Sequence, residues 1–145
     1  MQKSPIYLGA DHAGFELKEA LKKSLAEQGY TINDLSPDFQ EGDDYPIIAH
    51  AVAERVAAGG EGILICGTGF GVDMEANRTK GVRAAVIRNE DEARLARTED
   101  HANILVLGGR VTNPEDAIKI ATVWLATPYG DAKRFGRRTR ELDEL

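Results

Sequence analysis

The sequence predicts a single α/β domain over residues 1–145, a Rossmann-like three-layer αβα sandwich around a five-stranded parallel sheet. Two observations carry this expectation. Short apolar runs recur at residues 6–10, 30–35, 62–66, 82–87 and 104–107, and the segments between them have helical spacing. The length of 145 residues suits one domain with a core of its own.

Each element has a local reason. Residues 6–10 alternate into a first strand, and Leu17, Leu21 and Leu25 then mark one face of a first helix. Residues 30–35 form the second strand. The stretch 36–45 is rich in Pro, Gly, Asp and Glu, so it reads as an exposed loop rather than a linker between domains. Ile48, Val52 and Val56 mark a second helix, on which His50 points to solvent. Residues 62–66 end on Cys66, and a helix is expected over 72–77. Asn89 caps a fourth helix running to Arg97, and Asn113-Pro114 opens a fifth.

Composition narrows the classes of function. Hydrophobic residues at 42% and charged residues at 29% suit a folded globular protein rather than a disordered one. A net charge of -6 opposes tracking of nucleic-acid phosphates. The single cysteine rules out an internal disulfide framework and a cysteine metal cluster, which points to a reducing, cytoplasmic setting. No signal-peptide core follows Met1, and no apolar segment has membrane length.

The stretch Ile63-Leu64-Ile65-Cys66-Gly67-Thr68-Gly69-Phe70-Gly71-Val72 delivers a thiol beside a glycine-rich loop. Unpaired N–H groups at a helix start favour thiolate, and the glycines let a ligand approach the backbone. Two readings stand: Cys66 is a small buried hydrophobe, or it is a base or nucleophile. The glycine spacing is neither the dinucleotide fingerprint nor a Walker A loop. In an open α/β sheet, ligands bind outside the carboxyl ends of the strands. That rule collects Asp11-His12, residues 66–71 and Gly108-Gly109-Arg110 around one pocket.

These motifs also match a known pattern. Gly9-Ala10-Asp11-His12-Ala13-Gly14-Phe15-Glu16-Leu17-Lys18, Asp44-Tyr45-Pro46, Cys66-Gly67-Thr68-Gly69 and Gly108-Gly109-Arg110 occur in the order found in the ribose-5-phosphate isomerase B family. The chain closely resembles that family, which includes galactose-6-phosphate isomerases, along nearly its whole length. The resemblance implies metal-free, cofactor-free interconversion of an aldose phosphate and a ketose phosphate through an enediolate, most simply ribose 5-phosphate and ribulose 5-phosphate. Cys66 would be the base, with Thr68 and the backbone of Gly67, Gly69, Phe70 and Gly71 holding the oxyanion. Asp11, His12 and Tyr45 would contact substrate, although Asp11 alone could also be a helix cap. Arg110, Arg134 and Arg138 would anchor phosphate, with Arg137 a neighbouring candidate. Taken alone, the cluster Lys133, Arg134, Arg137, Arg138 and Arg140 reads first as a solvated basic helix. The family also implies a homodimer or tetramer with active sites at the subunit interface.

One departure stands out. The family has His-Asn-x-Ala-Asn before the fifth strand, whereas this chain has Glu99-Asp100-His101-Ala102-Asn103. Glu99 holds the place of the ring-opening histidine and Asp100 that of a substrate-binding asparagine. Three explanations are open: Glu99 opens the ring, His101 does, or the substrate needs no opening, as with a tetrose phosphate. A pentose phosphate ranks first, another tetrose or hexose phosphate second, and a non-catalytic sugar-phosphate binder third.

Overall fold

A computed structural model describes residues 4–145; Met1, Gln2 and Lys3, part of the expected domain, lie outside the described residues. The strands are β1 (Ile6–Ala10), β2 (Ile32–Asp34), β3 (Glu61–Cys66), β4 (Ala84–Val86) and β5 (Ile104–Gly108). The helices are α1 (Phe15–Glu27), α2 (Tyr45–Ala57), α3 (Phe70–Ala76), α4 (Glu90–Asp100), α5 (Pro114–Ala126) and α6 (Lys133–Glu144). All strand pairings are parallel, in the order β2-β1-β3-β5-β4.

That order dictates the layers. Parallel crossovers are right-handed, so steps toward one sheet edge put their helix on one face and steps toward the other edge use the opposite face. The steps β1 to β2 and β4 to β5 run one way, and α1 and α4 accordingly share a face with α5. The steps β2 to β3 and β3 to β4 run the other way, leaving α2 and α3 packed together on the second face. Both faces are therefore covered, and the central strands β3 and β5 are apolar at successive positions rather than at alternate ones. Ile63, Ile65, Leu105 and Leu107 pack toward Leu21 and Trp124, while Leu64, Cys66, Ile104 and Val106 pack toward Val52 and Val72.

The edge strands are shorter than their apolar runs. Tyr30 is taken up in the reversal after α1, its N–H donating to the Leu25 carbonyl at 3.0 Å. Val82 closes a turn onto Thr79, so β4 starts only at Ala84. The Asn77 side chain donates to Ala84 O at 2.9 Å and accepts from Ala84 N at 2.8 Å, which blunts this open edge. Helix α3 begins at Phe70 instead of residue 72, because Gly69 turns the chain at φ 89°, a region that favours glycine. Helix α4 runs three residues past Arg97 and so absorbs Glu99 and Asp100. Among the described residues no helix is long and apolar enough to cross a membrane.

Candidate active site

The ends of β1, β3 and β5 lie level, since Ala10 pairs with Ile65 and Cys66 with Gly108. Their loops are then stitched together by main-chain bonds. Asp11 N donates to Ile65 O at 3.2 Å, Gly109 N to Cys66 O at 2.7 Å, and Arg110 N to Gly67 O at 2.9 Å. Gly109 is required here, since a Cβ would strike the carbonyl of Ala13 and force the first loop away. The sheet thus brings together Asp11, His12, Tyr45, residues 66–71 and Arg110, as the rule for strand ends predicts.

Cys66 is 5% exposed, and the Gly69 N–H donates to its Sγ at 3.3 Å. Thr68 is exposed, and its Oγ1 accepts from Phe70 N at 3.2 Å, so the hydroxyl hydrogen stays free for another acceptor. The Arg110 guanidinium lies over Gly67, and the Tyr45 ring over Gly71. Hollows of about 600 Å³ by His12, Ala13 and Gly109 and about 540 Å³ by Tyr45, Gly71 and Met74 flank these loops.

Asp11 is not the helix cap weighed for it, since α1 is capped at Gly14 with no side-chain hydrogen bond, and it shapes the preceding turn instead. Its Oδ1 accepts from Ala13 N at 3.0 Å and Gly14 N at 3.2 Å, holding the turn into α1. His12 is held by Asp43, whose Oδ1 lies 2.8 Å from His12 N and 3.1 Å from Nδ1. Sequence reasoning passed over Asp43, which is 31 residues from His12 and inside an acidic loop. Asp11, His12 and Asp43 have donor atoms within 4.8 Å of one another, a spacing that a cation could use; these hydrogen bonds already account for it.

The remaining expected residues lie elsewhere. Glu99, Asp100 and His101 precede β5, whereas Gly108, beside Cys66, ends it. Four residue steps of strand separate the two ends, about 13 Å. Arg134, Arg137 and Arg138 are exposed on α6, which packs on α4 and is tied down by Arg83 to Asp143 at 3.0 Å. The residues expected at one site thus fall into two groups, one after the ends of β1, β3 and β5 and one before β5 and on α6. His101 is engaged in structure: it closes α4 at φ 50°, stacks on Tyr129 at 4.5 Å, and sets Nε2 3.0 Å from Gly130 O. Glu99 and Asp100 are exposed. His50 is exposed, paired with Glu54 at 3.0 Å and 3.7 Å from Glu75.

Two buried cations were also missed. Lys18 is fully buried, with Nζ on Asp34 at 2.9 Å and on Ser36 O. Burial pushes the Asp34 carboxyl up, yet hydrogen bonds from Lys18, Lys22 and Ser36 outweigh it and hold it below its ordinary value. Arg97 is buried between the rings of Trp124 and Tyr129.

Comparison with known proteins agrees with this geometry. A family model described as Ribose/Galactose Isomerase matches residues 6–142. The probable ribose-5-phosphate isomerase B of Mycoplasma pneumoniae is 42% identical over 139 residues, covering 92% of this chain and 91% of that protein. The crystal structure of a ribose 5-phosphate isomerase from Thermotoga maritima is 41% identical with a TM-score of 0.92, covering 97% of this chain and 98% of that one. The Mycoplasma genitalium ribose-5-phosphate isomerase B, solved with bound ribulose-5-phosphate, is 37% identical with a TM-score of 0.94, covering 99% and 97%. On this match, over nearly its full length, the chain belongs to the ribose/galactose isomerase family of enzymes.

Proposed function

We propose that this enzyme interconverts ribose 5-phosphate and ribulose 5-phosphate through an enediolate, with Cys66 as the base. The observation that carries the reading is the Cys66 sulfur at the end of β3, held by the Gly69 N–H at 3.3 Å among loops that also carry His12, Thr68 and Arg110. The thiolate takes the proton from C2 of the aldose and leaves an enediolate. The proton returns to C1 while the hydroxyl hydrogen on O2 passes to O1, giving the ketose. The Thr68 hydroxyl and the backbone N–H groups of Gly67, Thr68 and Gly71 serve the developing oxyanion as preorganised donors, since those of Gly69 and Phe70 are engaged by Cys66 Sγ and Thr68 Oγ1. Arg110 and His12 serve the anionic substrate from the same loops. A reducing cytoplasm keeps such a thiol free.

The separation of the two groups supports a homodimer in which residues of α4 and α6 complete the partner's pocket. Ile47, Phe70 and Met74 are exposed apolar residues on α2 and α3 beside the Cys66 loop, and a second copy of the chain is the cover that also completes the site. The engagement of His101 with Tyr129 and Gly130 favours Glu99 over His101 as the group that opens a furanose ring. The same observation favours, as a second reading, a substrate that needs no opening, such as a tetrose 4-phosphate.

Deuterium incorporation tests the reaction. With ribose 5-phosphate in heavy water, label enters C2 of recovered aldose and C1 of ketose. Binding without exchange sinks the isomerase reading for that sugar, and exchange with a tetrose phosphate alone selects the second. Cys66→Ala should lower exchange by about 10³-fold while substrate affinity is kept, as for loss of a group acting in the transition state. Exchange unchanged in that variant removes Cys66 from its role.

A further inference from the structure

We propose that Asp43 is a positioning residue for His12, whose hold on the Nδ1 side leaves Nε2 as the nitrogen offered to substrate. One carboxylate oxygen does both tasks, standing 2.8 Å from the His12 main-chain nitrogen and 3.1 Å from the ring Nδ1. An ionised carboxylate only accepts hydrogen bonds, so the ring nitrogen facing it carries the hydrogen. The hydrogen bond at one ring nitrogen decides what the other can do, and here Nε2 has no partner among the described residues.

The seat of Asp43 is tied to two elements of the fold. Its side chain is 17% exposed, against 35% for His12. Its loop, residues 36–44, is fastened to the end of β1 where Ser36 Oγ accepts from Ala10 N at 2.9 Å. It is fastened to α1 where the buried Lys18 Nζ donates to Ser36 O and where Phe39 meets Phe15 edge-on at 5.5 Å. Asp43 N closes the loop onto Gln40 O at 3.4 Å. The carboxylate is therefore held from behind and faces a histidine at the mouth of the site.

The spectroscopic test stands apart from the proposed reaction, and only the kinetic test rests on it. In the full-length protein labelled with ¹⁵N-histidine, long-range ¹H–¹⁵N correlation separates the two neutral tautomers, and His12→Asn assigns the His12 signal against His50 and His101. Wild-type His12 should carry its hydrogen on Nδ1, Asp43→Asn should keep that pattern through its amide oxygen, and Asp43→Ala should lose it. A wild-type His12 protonated on Nε2, or an unchanged pattern in Asp43→Ala, overturns the proposal without reference to turnover. For ribose 5-phosphate, Asp43→Ala should raise KM about tenfold with kcat within about threefold, the size of coupling expected between contacting residues. In a His12→Asn background the same substitution should change KM no further. An equal rise there would mean that Asp43 acts on the loop rather than through His12, and would overturn the assignment. Absence of turnover with any sugar phosphate counts against the proposed reaction, while the spectra still decide the role of Asp43.

Discussion

Asp73, on α3, carries a carboxyl whose Oδ1 is buried without a hydrogen-bond partner among the described residues. Burial raises its pKa from 3.8 to about 6. A raised folded-state value means that the native state holds the proton more tightly than the unfolded chain does. Stability therefore falls as pH rises from about 4 to about 6, and the whole penalty is present above that range. Asp73→Asn should accordingly raise Tm at pH 8 by about 3 °C, on the order of 1 kcal/mol once screening of this half-exposed group is allowed for. The gain should vanish below about pH 4, and thermal melts across that range check both signs. Asp34 acts in the opposite sense. Its lowered value stabilises the fold at neutral pH and loses that contribution as acid protonates it.

At the scale of elements, Arg97 is the joint between α4, α5 and the start of β3. Its guanidinium centre lies 4.3 Å from the Trp124 ring and 4.6 Å from the Tyr129 ring, donates to Thr127 O at 3.1 Å and Ala102 O at 2.7 Å, and pairs with Glu61. Arg97→Met keeps most of the volume but strands the Thr127 carbonyl and the Glu61 carboxylate, and leaves Ala102 O with only the Tyr129 hydroxyl at 3.3 Å. It should cost about 3 kcal/mol in urea unfolding, the size expected when one partner of a buried ion pair is removed. Arg97→Lys should recover less than half of that loss, since an ammonium lacks the planar face and the fork that serve two rings and two carbonyls. Full recovery by lysine would show that charge alone matters at this joint. The same joint places Tyr129 and Gly130 against His101, so packing at the far end of the sheet sets what that histidine can do.

For the whole molecule, the proposed dimer makes a prediction that one subunit alone could not meet. In that dimer Cys66→Ala damages the group at the end of β3 and Arg138→Ala the group on α6. Mixing the two inactive variants after mild dissociation should form heterodimers with one intact pocket each, restoring up to about a quarter of wild-type activity. No recovery in a mixture shown to contain heterodimers would place all the functional groups within one chain.

Local chemistry made much of this legible in the sequence. The apolar runs of β3 and β5 announced strands buried on both faces, and asparagine caps marked α4 and α5. Glycines beside Cys66 and after β5 marked loops where backbones meet at the strand ends. What stayed hidden depends on residues distant in sequence. Nothing local marks Lys18 or Arg97 as buried, because Asp34 and the aromatic pair that surround them come from other elements. Asp43 reads as one acid among several until the return of the loop brings it to His12. The sequence by itself determined the element order and the thiol at a strand end, because periodicity and glycine act over a few residues. Only the tertiary structure decided that the motif residues divide into two groups, one after the ends of β1, β3 and β5 and one before β5 and on α6, because strand order and direction arise from packing across the whole chain.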